Sequence, residues 1–468
     1  MSQSNLLKNT TIYALGDIFP RAVNFLFFPI LTRYLTPADY GILNYVMSIN
    51  NFLTIITFLC LNTYYMVYYN KMENDIEREK LLGNISIFVV AINIILCVII
   101  FTFGDGLFGL FGDNVPFYPY IAIGILTNFF NVFSVLPSCL LRMQERPSVF
   151  TALNVTKSTL VTLMTVALVI VFDKGVIGAL NAQLYITAVF AVIFSYITFK
   201  HAIFKINWGQ IRAALIFSLP LVPGSVSYYF VSLSDRLFIN KYLSLTDLGL
   251  YSTASSLALV LNTISYGAYK AFEPYVFKIS DDTGFNEKVE KLFKNYFYTL
   301  LLFSICISLF SPEFLQIFTV PKYYPAAHYV APLVFSTLLS SLGYLFSTVV
   351  TSLGRTFQNS LISIVGGCVS VVLNVCLLRY GVIFACVSSI TSMFVMFCMN
   401  IYYSDVRFSA WKYIWVFCVM ALVVVVFEII SLDSLVLSVS IKATVVVLIG
   451  WILYNKSDIT IKSLKNDK

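Results

Sequence analysis

The chain has 468 residues, 59% of them hydrophobic and only 11% charged, with a formal net charge of +7 and a mean hydropathy of +0.85. A soluble domain carries about 25% charged residues, because even a large core leaves an outer surface for water. The composition therefore excludes a water-soluble fold and makes lipid the solvent for most of the chain.

The N-terminus, Met1 to Lys8, is short and polar and lacks the ordered regions of a cleavable signal peptide, so the first helix is expected to act as an uncleaved signal-anchor. Apolar runs long enough for spanning helices then recur along the whole length, without the ten-residue alternation of a β-barrel. Fourteen spans are predicted. They run over about 9–31, 40–69, 83–104, 116–141, 148–172, 176–199, 211–240, 248–276, 295–311, 326–353, 358–378, 382–403, 411–430 and 435–454. Between them only 70–82 and 278–294 are sizeable polar stretches, and the longest outer loops fall near 104–116 and 312–325.

With the N-terminus placed in the cytoplasm, twenty Lys and Arg face inward and six (Arg33, Lys174, Lys241, Lys322, Arg379 and Lys442) face outward. That asymmetry predicts both termini inside and accounts for the positive net charge. Nine cysteines all fall in apolar segments, no C-x-x-C pair occurs, and the only histidines are His201 and His328. Neither a disulfide framework nor a metal site is expected, and no cofactor.

An internal repeat organises the chain. Residues 33–42 read R-Y-L-T-P-A-D-Y-G-I and residues 241–250 read K-Y-L-S-L-T-D-L-G-L, at a constant offset of 208. Each copy follows the first helix of a six-helix block. Six is an even number, so the two blocks are parallel and related by an axis along the membrane normal. The expected organisation is an N-lobe over 1–204, a C-lobe over 205–404, and a helix pair with a tail over 405–468. Within each copy, Thr36 or Ser244 followed three residues later by Asp39 or Asp247 is a helix-start signature, and Gly41 or Gly249 permits close approach of the incoming helix. The motif thus reads chiefly as the outer turn between the first two helices of a lobe.

Ionisable groups at membrane depth are costly and face a cavity or a partner. Asp17 and Arg21 share a face of helix one across Pro20; Asp235 and Arg236 sit in helix seven above Pro220 and Pro223; Lys270 and Glu273 precede Pro274; Lys157 lies in helix five. In one reading Arg21, Lys157, Arg236 and Lys270 line a cavity and bind an anion, with Asp17, Asp235 and Glu273 tuning them or carrying coupling protons. In the other, the neighbours form local ion pairs and the lysines snorkel to the interface. Tyr64, Tyr65, Tyr68, Tyr69, Tyr228 and Tyr229 suit an interfacial belt or stacking on sugar rings. No P-loop, H-E-x-x-H or G-x-S-x-G motif occurs.

The opening K-N-T-T-I-Y-A-L-G-D-I-F-P-R, the R-Y-L-T-P-A-D-Y-G-I-L-N-Y turn and the S-D-R-L-F-I-N-K-Y-L-S-L-T-D-L-G-L-Y stretch resemble bacterial polysaccharide flippases of the O-antigen (Wzx) type. These belong to the superfamily that also holds multidrug extruders and lipid II flippases. The resemblance implies an all-α polytopic membrane protein, V-shaped and extruder-like, in the bacterial inner membrane, alternating between inward- and outward-open states. Its implied cargo is an undecaprenyl-pyrophosphate-linked sugar repeat unit moved from the cytoplasmic to the periplasmic leaflet. A coupling proton or sodium ion and polysaccharide polymerase machinery are possible partners, and nucleic acid is not. O-antigen flippases are commonly drawn with twelve spans; the extra pair at 411–454 resembles longer members of the superfamily. Lipid II or capsule-precursor flippases and a cation-coupled multidrug extruder are the alternatives within transport, and an O-antigen polymerase or ligase is the alternative outside it.

Overall fold

The structure is a computed structural model that describes residues 3–112, 114–279, 284–406, 413 and 435–456. Every regular element among these is helical. The helices are α1 (Gln3–Tyr34), α2 (Pro37–Phe58), α3 (Leu61–Tyr69), α4 (Asp75–Gly109), α5 (Ala122–Met143), α6 (Pro147–Val166), α7 (Gly175–His201), α8 (Trp208–Ser218), α9 (Val222–Tyr242), α10 (Leu245–Ile279), α11 (Phe285–Phe318), α12 (Ala327–Ser352), α13 (Thr356–Leu377), α14 (Ile383–Ser404) and α15 (Leu435–Lys456). Ten helical segments among the described residues are long and apolar enough to cross a membrane. The chain is an all-α polytopic membrane protein, as its hydropathy predicts. Apart from Tyr413, the expected span at 411–430 lies outside the described residues.

Packing divides the chain into two compact units, Met1–Gly249 and Leu250–Lys468. In the first, α5 packs on α7, α1 on α6, and α2 on both α5 and α9. The second is built on α12 against α14 and α11, with α13 on α14 and α15 on α11.

The repeated turns form as their chemistry predicts. Thr36 Oγ1 accepts the Asp39 amide at 3.2 Å while Asp39 Oδ2 accepts the Thr36 amide at 2.9 Å. Ser244 and Asp247 make the same reciprocal cap, at 3.1 Å each way. The two copies then press on one another. A Cβ on Gly41 would stand 2.8 Å from the Gly249 amide nitrogen, and one on Gly249 would overlap the Pro37 carbonyl. Glycine is required at both because backbone meets backbone there.

Several expectations are corrected. The span expected over 40–69 is two helices, broken at Leu59 and Cys60, both left-handed at φ 46° and 60°. Neither is glycine, so the break is held from outside: Ser218 Oγ donates to the Cys60 carbonyl at 3.3 Å and Cys60 Sγ to Ser225 Oγ at 3.4 Å. These serines flank Pro220, in the Leu219–Leu221 turn that interrupts the seventh expected span. The polar stretches 70–82 and 278–294 are largely helix, because α4 starts at Asp75 and α11 at Phe285; lysine and glutamate favour helix as readily as loop. Likewise α4 extends to Gly109 and α11 to Phe318, shortening the loops expected near 104–116 and 312–325. Tyr64, Tyr65 and Tyr69 are buried among Leu81, Leu136 and Leu140, so they are core rather than belt.

Candidate functional site: charges at membrane depth

In unit 1, Asp17 and Arg21 lie on α1, which packs along α6. Thr151 Oγ1 of α6 donates to the Ile12 carbonyl at 2.8 Å, and Gly16 meets Thr151 closely. The side chain of Asp17 lies outside the described residues; that of Arg21 is exposed. Lys157 stands ten residues past Pro147, the first residue of α6, or about 15 Å along the axis. That is half of a hydrocarbon core about 30 Å thick. Its ammonium donates to Asn131 Oδ1 of α5 at 3.0 Å.

Asn131 belongs to a polar track that sequence reasoning passed over. One turn earlier on α5, Asn128 Oδ1 accepts the Thr54 hydroxyl of α2 at 2.6 Å. A turn earlier on α2, the buried Oδ1 of Asn50 has no hydrogen-bond partner among the described residues. Asn50, Thr54, Asn128, Asn131 and Lys157 thus cross three helices inside apolar segments. The legible signal was the Asn128–Asn131 spacing, which puts two amides on one helix face.

Asp235 and Arg236 are buried within α9, at 2% and 8% exposure. Arg236 Nη1 donates to the Ser232 carbonyl at 2.9 Å and to Ser232 Oγ at 3.1 Å, one turn back. Arg236 is therefore packed into the unit rather than presented at its surface.

Unit 2 carries Lys270 and Glu273 on α10. The Lys270 ammonium lies 4.8 Å from the Tyr266 ring centroid, and Glu273 Oε1 accepts the Tyr269 hydroxyl at 2.5 Å. Each is thus engaged by a tyrosine one turn back. A further charge pair escaped the sequence reading. Glu313 of α11 and Lys442 of α15 are both buried and 2.6 Å apart, with Ser438 Oγ donating to the same carboxylate oxygen. Lys442 lies within a helix, as the span expected at 435–454 has it, and Glu313 belongs to α11 rather than to the loop expected at 312–325. Among the described residues no cluster of three or more His, Cys, Asp or Glu could hold a metal ion.

These features define a polytopic helical membrane protein with cationic and amide groups carried to mid-membrane depth. Comparison with known proteins narrows this. The family described as "Polysaccharide biosynthesis protein" matches residues 6–280, more than half of the chain, and the protein belongs to that family. An uncharacterized membrane protein of Haemophilus influenzae is 22% identical over 349 residues, covering 72% of this chain and 81% of its own. Among solved structures, the lipid II flippase MurJ in an inward closed conformation superimposes with a TM-score of 0.73 at 15% identity, covering 95% of this chain and 98% of its own. A multidrug resistance MATE family transporter of the MOP superfamily, inward-facing, gives 0.61 at 13% identity, covering 90% and 96%. At those identities the likeness is one of fold.

Proposed function

We propose that this protein is a flippase that carries an oligosaccharide repeat unit, linked to undecaprenyl pyrophosphate, from the cytoplasmic to the periplasmic leaflet of the bacterial inner membrane. Membership of a polysaccharide biosynthesis family supports the cargo class, and the MurJ-like fold supports movement of a lipid-linked sugar. In this reading the repeats at 33–42 and 241–250 mark two lobes, 1–204 and 205–404, that alternate in access, followed by 405–468. Both termini face the cytoplasm, and an ion gradient or consumption of the product supplies the driving force.

The observation that carries the proposal is Lys157. A largely buried ammonium at the middle of a spanning helix cannot be solvated by lipid tails, and a lysine stem does not reach a headgroup from there. In this reading the ammonium, oriented by Asn131, is held for an anion. Arg21, exposed on the adjoining α1, is the second cation assigned to the cargo; within unit 2, Lys270 is a separate candidate. Arg236, packed within α9 on Ser232, is set apart from these. A multidrug extruder, whose cargo is commonly cationic, would place acids where these cations stand.

The test is a strain lacking this gene with its early glycosyltransferases intact. Expected is a complete lipid-linked repeat unit accumulating on the cytoplasmic leaflet, with surface polysaccharide lost and restored by the parent chain but not by Lys157→Met or Arg21→Gln. Single repeat units reaching the periplasm unpolymerised would refute the reading and favour a polymerase or ligase.

A further inference from the structure

Two lysines inside apolar helices each donate to a neighbouring helix, and their partners differ in kind. Lys442 meets a carboxylate, Glu313 Oε1, at 2.6 Å. Lys157 meets a neutral carboxamide, Asn131 Oδ1, at 3.0 Å. A carboxylate fixes an ammonium and cancels its charge; a carboxamide fixes it and leaves the charge in place. Among the described residues no carboxylate acts on the charge of Lys157.

The orientation of Asn131 follows from the chemistry of its partner. An ammonium has three donors and no acceptor, whereas a carboxamide has one acceptor oxygen and one donor nitrogen. Asn131 therefore turns Oδ1 to Lys157 and Nδ2 away from it. Ser134, one turn further along α5, steadies that pose: its Oγ donates to the Asn131 carbonyl at 2.7 Å and lies 3.4 Å from Oδ1. Among the described residues Nδ2 meets no acceptor and is not covered, so it remains within reach of a ligand. Counted from the turn at 144–146, Asn131 lies twelve residues back along α5 and Lys157 ten residues on along α6, about 18 and 15 Å. The hydrogen bond between them thus ties the two helices at one depth, far from either end.

We propose that Asn131 is the positioning residue of an anion seat. Its Oδ1 holds the Lys157 ammonium in place without cancelling it, and its Nδ2, beside that ammonium, supplies a second donor to the same phosphoryl group. The inference rests on the reading of Lys157 given above and adds the residue that turns a lone cation into a seat. A phosphoryl group of the cargo's diphosphate fits, because its oxygens only accept and a charge-assisted pair of donors is the stronger kind. A metal cation or a cationic drug does not, since the one acceptor oxygen of the pair is already spent on Lys157. Aspartate at 131 would hold the lysine more tightly and repel the ligand; leucine would neither orient the lysine nor donate.

The test is calorimetric titration of the full-length protein in detergent with farnesyl diphosphate, farnesol or glucuronate, with the melting temperature as the control for folding. Expected is a parent that binds farnesyl diphosphate in preference to the other two. Asn131→Asp should weaken farnesyl diphosphate roughly ten- to a hundredfold while melting at or above the parent temperature, because it creates an ion pair with Lys157. A purely structural asparagine predicts the same melting and unchanged binding. Asn131→Leu should weaken binding roughly tenfold, and it decides alone if Asn131→Asp does not fold. Binding equal to the parent in both Asn131 variants, with Lys157→Met weakened, would overturn the role of Asn131 and leave that of Lys157 standing. A parent that prefers farnesol, or a Lys157→Met variant equal to the parent, would overturn the seat and the reading of Lys157 together. Glucuronate displacing farnesyl diphosphate from the parent would overturn the phosphoryl assignment in favour of a sugar carboxylate.

Discussion

The Glu313–Lys442 pair offers a stringent test of how unit 2 is held together. Ser438 and Lys442 stand four apart on α15 and so share a face, and both donate to Glu313 Oε1 of α11, at 2.5 and 2.6 Å. Glu313 and Lys442 are each 6% exposed, so removing either strands the other charge away from water. Breaking a buried pair by one partner costs about 3–5 kcal/mol, whereas replacing both with apolar side chains of similar volume is often neutral or better. Glu313→Leu or Lys442→Met should therefore raise the amide hydrogen-exchange rate of α15 by roughly two to four powers of ten, measured on the protein in lipid nanodiscs. The double variant should return close to the parent. Single variants within about fivefold of the parent would show that solvent reaches this pair. A double variant losing the sum of both would show that the attraction itself, rather than the stranded charge, sets the stability.

Gly249→Ala drives a Cβ into the Pro37 carbonyl and should lower thermal stability by about 1–3 kcal/mol. Gly106→Ala, in a helix with open space around it, should be neutral or gain about 0.5–1 kcal/mol; equal losses would mean that the repeat crossing is not tight. Thr36→Val removes the side-chain oxygen that accepts the Asp39 amide and should cost about 1 kcal/mol in the same melting assay, with no loss implying that water replaces the cap. Cys60→Gly relieves a left-handed residue and should be neutral or stabilising by up to about 1 kcal/mol, while Cys97→Gly inside α4 should cost about 1 kcal/mol. The same sign at both positions would contradict the assigned break.

What could be read from sequence divides along physical lines. Apolar runs gave the existence of the spans because hydrophobicity is a property of the segment alone. The two repeated turns were legible for the same reason: Thr36 with Asp39, and Ser244 with Asp247, satisfy each other within four residues. Helix ends were not, since Asp75 to Lys80 are as content in a solvated helix as in a loop. The break at Leu59 and Cys60 has no local cause; its partners Ser218 and Ser225 lie more than 150 residues away. The Glu313–Lys442 pair joins residues 129 apart, of which Glu313 looked like loop when taken singly.

The same accounting explains why Lys157 stands out among the basic residues described. Arg78 pairs with Asp75 and also donates to two carbonyls; Arg355 pairs with Asp405 and donates to the Tyr403 carbonyl; Lys442 is matched by Glu313. Each contributes to structure in proportion to the partners it has. Among the described residues Lys157 donates to one neutral group, the Asn131 amide oxygen, against three N–H donors on its ammonium. A protein that needed only a helix contact there would do better with leucine, since lysine at a bilayer centre is penalised by about 2.5–3.5 kcal/mol even on the mildest scale. A penalty of that size supports the role in anion binding proposed for Lys157.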